Sequence, residues 1–277
     1  MVNDLLQYLS YPFVWRALVA GVLVALCAAL LGVSLVLRRL SFIGDGLSHV
    51  AFGAMAMAGV MNFAGDLTLS LPVTIVGSVI LFVTGRTSQT KGDASLAMLS
   101  VGAMALGYLL MNLFPSSANI SGDVCTTLFG STTILTLTPG ELWTCTIIAI
   151  AVIAFQVLTY HRSFEFAFDE EFARVSGGGV TTFNVLSAVV VAVVIVISMR
   201  LVGTLLVSAL LVFPAVSALR VCRSYLSVTL CSAALAVMGA LAGMLVAIVC
   251  GTPVGATIVM VNLIVFLLCY AAGKVLK

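Results

Sequence analysis

Two side chains that can bind a metal ion stand four residues apart near the start of the chain, in the segment 38–49. If this segment is helical, Asp45 and His49 share one face, with Cβ atoms about 5–6 Å apart. A carboxylate and an imidazole at this spacing can hold one divalent transition metal between them. They can equally form a plain hydrogen-bonded pair, or reach lipid headgroups beside Arg38 and Arg39. The spacing alone leaves these interpretations open.

A second candidate functional element lies in the longest polar stretch of the chain, 161–180. It contains three consecutive acidic residues followed by apolar ones: Asp169, Glu170, Glu171, Phe172, Ala173. This order predicts a short helix near 168–176, because acids favour a first helical turn and the glycines after Ser176 predict its end. Such a helix is either a solvated connector or an element that docks into a partner and transmits movement. Composition alone favours the connector.

Two prolines, one inside an apolar segment and one just before another, are candidate helix breaks. Pro214 lies in mid-segment, where its ring removes a backbone hydrogen bond and predicts a kink. Pro253 lies in Gly251–Gly255, just before the last apolar segment. Kinks at membrane depth permit gating, and prolines are also tolerated structurally in membrane helices, so both interpretations stay open.

Several motifs of energy-coupled or hydrolytic proteins are absent from the sequence. No Gly-x-x-x-x-Gly-Lys-Ser/Thr motif occurs, so the chain has no P-loop for ATP. No His-Glu-x-x-His or Gly-x-Ser-x-Gly motif occurs either. The sequence therefore does not predict an enzyme of these types, and it provides no P-loop with which the chain could hydrolyse ATP itself.

The composition predicts the environment of these residues. Of 277 residues, 62% are hydrophobic and 8% are charged, with a mean hydropathy of +1.27. A soluble domain carries about 25% charged residues, so lipid must be the solvent for most of this surface. The net charge of +2 provides no basic face for nucleic acid. We therefore expect an all-α polytopic membrane protein, with residues 1–277 in a single transmembrane domain.

Apolar runs long enough to cross a bilayer recur along the chain, at about 20 residues each. They are Phe13–Leu37, Gly46–Val60, Leu67–Thr84, Ala94–Phe114, Leu142–Tyr160, Val180–Met199, Leu201–Leu219, Leu226–Val249 and Val254–Gly273. The stretch 124–137 is apolar but short, and predicts a re-entrant or partial helix that must be surrounded by protein. Roughly eight to nine transmembrane helices are expected.

Cations indicate the orientation of these runs. Ten of the twelve Lys and Arg residues fall at every second boundary, with Arg16 and Arg200 as exceptions. The positive-inside rule places that side in the cytoplasm. The multi-pass chain is then expected to have its C-terminus and the loop 161–180 inside the cell. With nine crossings, its N-terminus lies outside.

Six motifs, in order and correctly spaced, give the chain a family resemblance. They are Leu37–His49, Ala105–Gly107, Leu128–Gly130, Phe168–Gly177, Val202–Ala215 and Thr252–Val259. With them the chain resembles the permease subunits of bacterial ATP-binding cassette importers for divalent metals, the zinc and manganese uptake family. The match runs over nearly the whole length. Any one motif is a weak signal, whereas six in order are specific.

The resemblance implies partners and a location. It implies a homodimer in the bacterial cytoplasmic membrane, with the substrate path along the dimer axis. It also implies two cytoplasmic ATPase subunits that bind ATP, and an extracytoplasmic metal-binding protein that delivers the ion. The transported divalent metal, zinc or manganese with iron as a third candidate, is the substrate, and no cofactor is permanently bound. The alternative from another class is a stand-alone ion-coupled carrier or channel.

The resemblance also implies roles for individual residues. Asp45 and His49 match the family's intramembrane acid and histidine, which contact the passing metal. Asp123 matches an acid before the Leu-Phe-Gly motif, where it helps at the entrance or caps a helix. The acidic helix becomes the ATPase-coupling element, with these residues: Asp169, Glu170, Glu171, Phe172, Ala173, Arg174, Gly177. Ser100 and Gly251 depart from the family, since some members carry a histidine and an acid there, which leaves the choice of metal open.

Overall fold

The computed structural model describes residues 11–61, 66–84, 89–114, 137–175 and 179–275. Eleven helices occupy these ranges. They are α1 (Pro12–Leu37), α2 (Ser41–Val60), α3 (Asp66–Thr84), α4 (Gln89–Leu113), α5 (Pro139–Leu158), α6 (Tyr160–Phe168), α7 (Glu170–Val175), α8 (Val180–Val202), α9 (Thr204–Val221), α10 (Tyr225–Cys250) and α11 (Val254–Val275). Every predicted apolar run overlaps one of the nine long helices.

Six of the described helices are long and apolar enough to cross a membrane, namely α1, α5, α8, α9, α10 and α11. Two more, α3 and α4, contain the shorter apolar stretches Leu69–Phe82 and Ala97–Leu113. The chain is therefore an all-helical, multi-pass membrane protein. Six helices of the described ranges meet the length and composition of a membrane span, so the count of eight to nine transmembrane helices stays a prediction. Of the predicted re-entrant stretch 124–137, residues 124–136 lie outside the described residues, as do Asp123 and Gly177.

The ends of the long helices follow from local sequence. The α5 helix begins with a capping box, in which the Glu141 N–H donates to the Thr138 hydroxyl and the Thr138 N–H donates to the Glu141 carboxylate at 2.9 Å. The α8 helix ends at Gly203, whose φ of 91° favours glycine. Arg200 lies in the last turn of α8, where the helix dipole favours a cation. Arg16 donates to the Leu137 carbonyl at 3.4 Å. Arg16 thus has a backbone carbonyl as its partner, and Arg200 has a favourable position at the end of a helix.

The core is built around α1, which packs on α5, α8, α9 and α10, while α2 packs on α3, α4 and α9. Glycine permits the closest crossings. A Cβ added at Gly32 of α1 would lie 1.9 Å from the Leu211 carbonyl oxygen of α9. A Cβ added at Gly53 of α2 would lie 2.6 Å from the Ala103 carbonyl oxygen of α4. Small residues thus bring α1 and α2 against their neighbours at backbone contact, as membrane helices require.

The two prolines occupy different positions in the fold. Pro214 is buried inside α9, which continues as a helix on both sides of it. Pro253 stands in the link between α10 and α11, where its carbonyl accepts from the Thr257 N–H at 3.1 Å. The structure confirms that one lies within a helix and the other outside. The gating role of both stays a prediction.

Candidate functional site

The Asp45 and His49 side chains meet on α2, one turn apart. His49 Nε2 lies 3.6 Å from Asp45 Oδ2, slightly beyond hydrogen-bonding distance. The His49 side chain is 16% exposed, whereas half of the Asp45 side chain is exposed. The predicted shared helix face is therefore confirmed. The carboxylate is exposed enough to receive a ligand, and the imidazole beside it is more buried.

The second ring nitrogen of His49 is unsatisfied. Nδ1 is buried and has no hydrogen-bond partner in the described part of the protein. A neutral imidazole has one donor and one acceptor nitrogen, so the contact with Asp45 can satisfy at most one of them. A plain hydrogen-bonded pair therefore leaves a buried polar atom orphaned, which is unusual outside sites completed by water, ions or ligands.

A hydroxyl from another helix approaches the same carboxylate. Ser208 on α9 lies close enough to Asp45 to interact with it. Its hydroxyl also donates to the Leu205 carbonyl at 3.1 Å. Ser208 lies in the motif Val202–Ala215, but the sequence pattern predicted no role for it. The available signal was a hydroxyl four residues after Thr204 in the mostly apolar helix α9.

The described residues supply two strong ligands at this point and no more. Across those ranges, no group of three His, Cys, Asp or Glu side chains is placed to hold a metal ion. A structural zinc site uses four protein ligands and retains its ion. Two ligands and a nearby hydroxyl instead suit an ion that binds briefly and leaves. Ser100, the departure on α4, is buried.

The predicted helix near 168–176 is confirmed as α7, preceded by the nine-residue α6. Asp169 caps α7, because its Oδ1 accepts from the Phe172 N–H at 2.9 Å. Ala173 is buried against Phe166, Val180 and Phe183. The cap and this apolar contact hold a helix of only six residues in place.

The two faces of α7 differ in exposure. Phe172 is 71% exposed and Val175 is 88% exposed, and Arg174 is exposed beside them. Glu170, in contrast, points back into the protein, with Oε2 3.8 Å from Arg38 Nη2. The described residues of the predicted coupling helix therefore lie on two faces. A partner can reach one face, and the protein itself covers the other.

A model of the ABC 3 transport family matches residues 10–273 of this sequence. The chain belongs to the ABC 3 transport family. This confirms the resemblance to metal-ion ATP-binding cassette permeases. The probable metal transport system membrane protein of Treponema pallidum is 31% identical over 76% of this chain and 77% of that relative.

Other relatives carry manganese in their names. The manganese import system permease protein ScaB of Streptococcus gordonii is 26% identical over 98% of this chain and 95% of its own length. The manganese transport system membrane protein MntC of Halalkalibacterium halodurans is 28% identical over 95% of this chain and 88% of its own length. These similarities extend over almost the entire chain.

Solved structures confirm the fold. PsaBC from Streptococcus pneumoniae in complex with Fab matches with a TM-score of 0.85 and 23% identity, covering 98% of this chain and 95% of that one. A metal-chelate type ABC transporter in an inward-facing conformation matches with a TM-score of 0.71 and 15% identity, over 90% and 83%. The chain therefore shares the helical arrangement of these two solved proteins.

Proposed function

We propose that this chain is the membrane-spanning permease of an ATP-driven importer for divalent transition-metal ions. The whole chain, 1–277, acts as one transmembrane domain of eight to nine helices in the bacterial cytoplasmic membrane, with its C-terminus in the cytoplasm. Two copies form the path. Separate ATPase subunits supply the energy, and an extracytoplasmic metal-binding protein supplies the ion.

The observation that carries this proposal is the Asp45–His49 pair, which is open on its carboxylate side and has no hydrogen-bond partner for His49 Nδ1 among the described residues. Ionisable groups within a membrane protein mark ion or substrate paths. A metal that has lost its water gains an oxygen and a nitrogen ligand here, and two ligands release it more readily than four. Membership of a family with metal-transporting relatives supports the same assignment.

ATP dependence distinguishes this function from its rivals. In vesicles that contain the permease, ATPase and binding protein, we expect Mn²⁺ to accumulate only when ATP is present inside with the nucleotide-binding subunits. Flux without the ATPase would instead indicate the channel or ion-coupled carrier, which needs charged residues in mid-membrane for coupling. Absence of flux in every arrangement would leave a structural role.

Manganese is the metal we expect to be moved best. Asp45 and Ser208 offer oxygen and His49 one nitrogen, and an oxygen-rich path suits manganese better than zinc. From an equimolar mixture, elemental analysis of the vesicle contents should find more manganese than zinc or iron. Ser208→Ala removes one oxygen and should lower the manganese-to-zinc ratio about threefold. Ser217→Ala is the control, since that hydroxyl donates to the Phe213 carbonyl of its own helix. An unchanged ratio in Ser208→Ala would mean that Ser208 does not contribute to the choice of metal.

The exposed face of α7 is where we place the ATPase contact. Phe172→Ala removes a large exposed ring and should weaken co-purification of the ATPase subunit about tenfold, the loss expected at a central interface residue. Leu226→Ala, on a residue 53% exposed at the start of α10 on the same proposed side, serves as the control. Equal recovery of the ATPase with both variants would exclude this face as the docking surface.

A further inference from the structure

A polar cluster distant in sequence joins three helices around Arg38. This residue follows α1, and its Nη2 donates to Asn184 Oδ1 on α8. The Asn184 amide in turn donates to Glu170 Oε1 on α7 at 3.4 Å. Arg38 Nη2 lies 3.8 Å from Glu170 Oε2, and its guanidinium lies 5.9 Å above the Phe183 ring. Arg38, Glu170 and Asn184 are called the Arg38 triad below.

The burial of the triad is unusual for residues at a membrane surface. The Arg38 side chain is 4% exposed and Glu170 is 27% exposed, and Asn184 is 3% exposed. An arginine at a helix end ordinarily extends its charge into water. Burial lowers the pKa of Arg38 to about 10, so the guanidinium stays charged at neutral pH. A buried charge of this kind is tolerated only with partners, and Glu170 and Asn184 are the partners.

The backbone around Arg38 forms a short, fully bonded turn between α1 and α2. The N–H groups of Arg38, Arg39 and Leu40 donate to α1 carbonyls at 3.2, 3.1 and 2.8 Å. Arg39 has a φ of 59°, which reverses the chain so that α2 begins at Ser41. Because these hydrogen bonds fix the turn, a displacement of Arg38 would also displace the first turn of α2. Asp45 stands seven residues further along the chain.

The observed contacts leave room for a second arrangement. At 3.8 Å the Arg38–Glu170 contact is an ion pair without a direct hydrogen bond, and Arg38 Nε is buried with no partner among the described residues. A small shift of α7 toward Arg38 would allow a two-bond fork between guanidinium and carboxylate, which is the strongest form of this pair. Such a shift would give the cluster a second arrangement of different geometry, which a switching element requires.

We propose that the Arg38 triad links the position of α7 to the position of α2, so that movement of α7 changes the access of metal to Asp45 and His49. This inference rests on the proposed function, in which α7 contacts the ATPase. Arg38 and Glu170 are positioning residues, since they act through α2 rather than on the metal. Their loss is predicted to separate ATP hydrolysis from transport.

The test measures Mn²⁺ uptake and ATP hydrolysis in the same vesicles, with the permease, ATPase and binding protein reconstituted together. Glu170→Gln keeps the side-chain shape and removes its charge. It should lower the amount of Mn²⁺ transported per ATP about fivefold or more, with the complex assembled and ATP hydrolysis retained. Arg38→Gln should give a similar loss. Arg39→Gln, an exposed cation in the same turn, should leave the ratio unchanged.

A double variant distinguishes a contact shared by Arg38 and Glu170 from two independent effects on transport. Because the two residues act through one contact, the double variant Arg38→Gln/Glu170→Gln should lower the ratio no further than either single variant. Losses that multiply would overturn the proposal, as would an unchanged ratio in Glu170→Gln. A parallel fall of uptake and hydrolysis, or failure of the Glu170→Gln complex to assemble, would make the triad a structural anchor and also overturn it. If the wild-type complex showed no ATP-dependent uptake, the proposed function itself would fail, which is a distinguishable result.

Discussion

Asp45→Ala is expected to lower the initial rate of ATP-dependent Mn²⁺ uptake by about tenfold or more, the range seen when support for a bound metal is lost. The side chain is half exposed, so its removal leaves little cavity and should not prevent folding. His49→Ala should act in the same direction, because it removes the nitrogen ligand. Initial uptake rates in vesicles, at matched amounts of assembled complex, measure both effects.

The matched control is His161→Ala. The chain has two histidines, and His161 is exposed at the start of α6, away from α2. Its removal should leave the uptake rate at the wild-type value. If uptake and metal preference were unchanged in both Asp45→Ala and His49→Ala, these residues would have no part in the path.

Gly32→Ala is expected to destabilise the protein by about 3 kcal/mol or more, the upper range for overpacking a tight core. The new Cβ would lie 1.9 Å from the Leu211 carbonyl oxygen, which is a backbone atom and cannot rotate away. Relief requires α1 and α9 to separate, although both helices pack at the centre of the fold. Thermal unfolding of the detergent-solubilised protein should therefore occur at a clearly lower temperature.

Gly102→Ala is expected to change the stability of the protein in the opposite direction. Gly102 is also inside a helix, α4, but a Cβ there would meet no atom of the described residues within 4 Å. In such a position alanine is favoured over glycine by up to about 1 kcal/mol, so the unfolding temperature should stay the same or rise. An equal decrease in both variants would mean that the close approach of α1 and α9 contributes nothing specific.

The helical framework was predictable because the bilayer imposes both length and polarity on each span. The predicted run 13–37 and the observed α1 (Pro12–Leu37) differ by one residue. The run predicted from Gly46 is extended in the structure to Ser41, so that Asp45 lies within α2. Hydropathy missed this turn because Ser41 and Asp45 are polar, whereas the four-residue spacing to His49 correctly predicted a shared face.

The parts of the site that were not predictable depend on contacts between distant segments. Glu170 follows an acidic residue and precedes another, so the sequence suggests three equivalent charges facing a partner. In the fold, Glu170 turns toward Arg38, which is 132 positions earlier, and Asp169 serves as a helix cap. Ser208 comes beside Asp45 only through the packing of α9 on α2. No local pattern records such pairings.

Electron spin echo spectroscopy of bound Mn²⁺ tests most directly whether a metal meets Asp45 and His49. The permease–ATPase complex, without the binding protein, is loaded with Mn²⁺, and the nitrogen modulation of the bound ion is recorded. We predict an imidazole nitrogen signal that persists in His161→Ala and disappears in His49→Ala, since these are the two histidines of the chain. The same nitrogen signal in His49→Ala, or bound Mn²⁺ without any nitrogen signal in the wild type, would contradict this account.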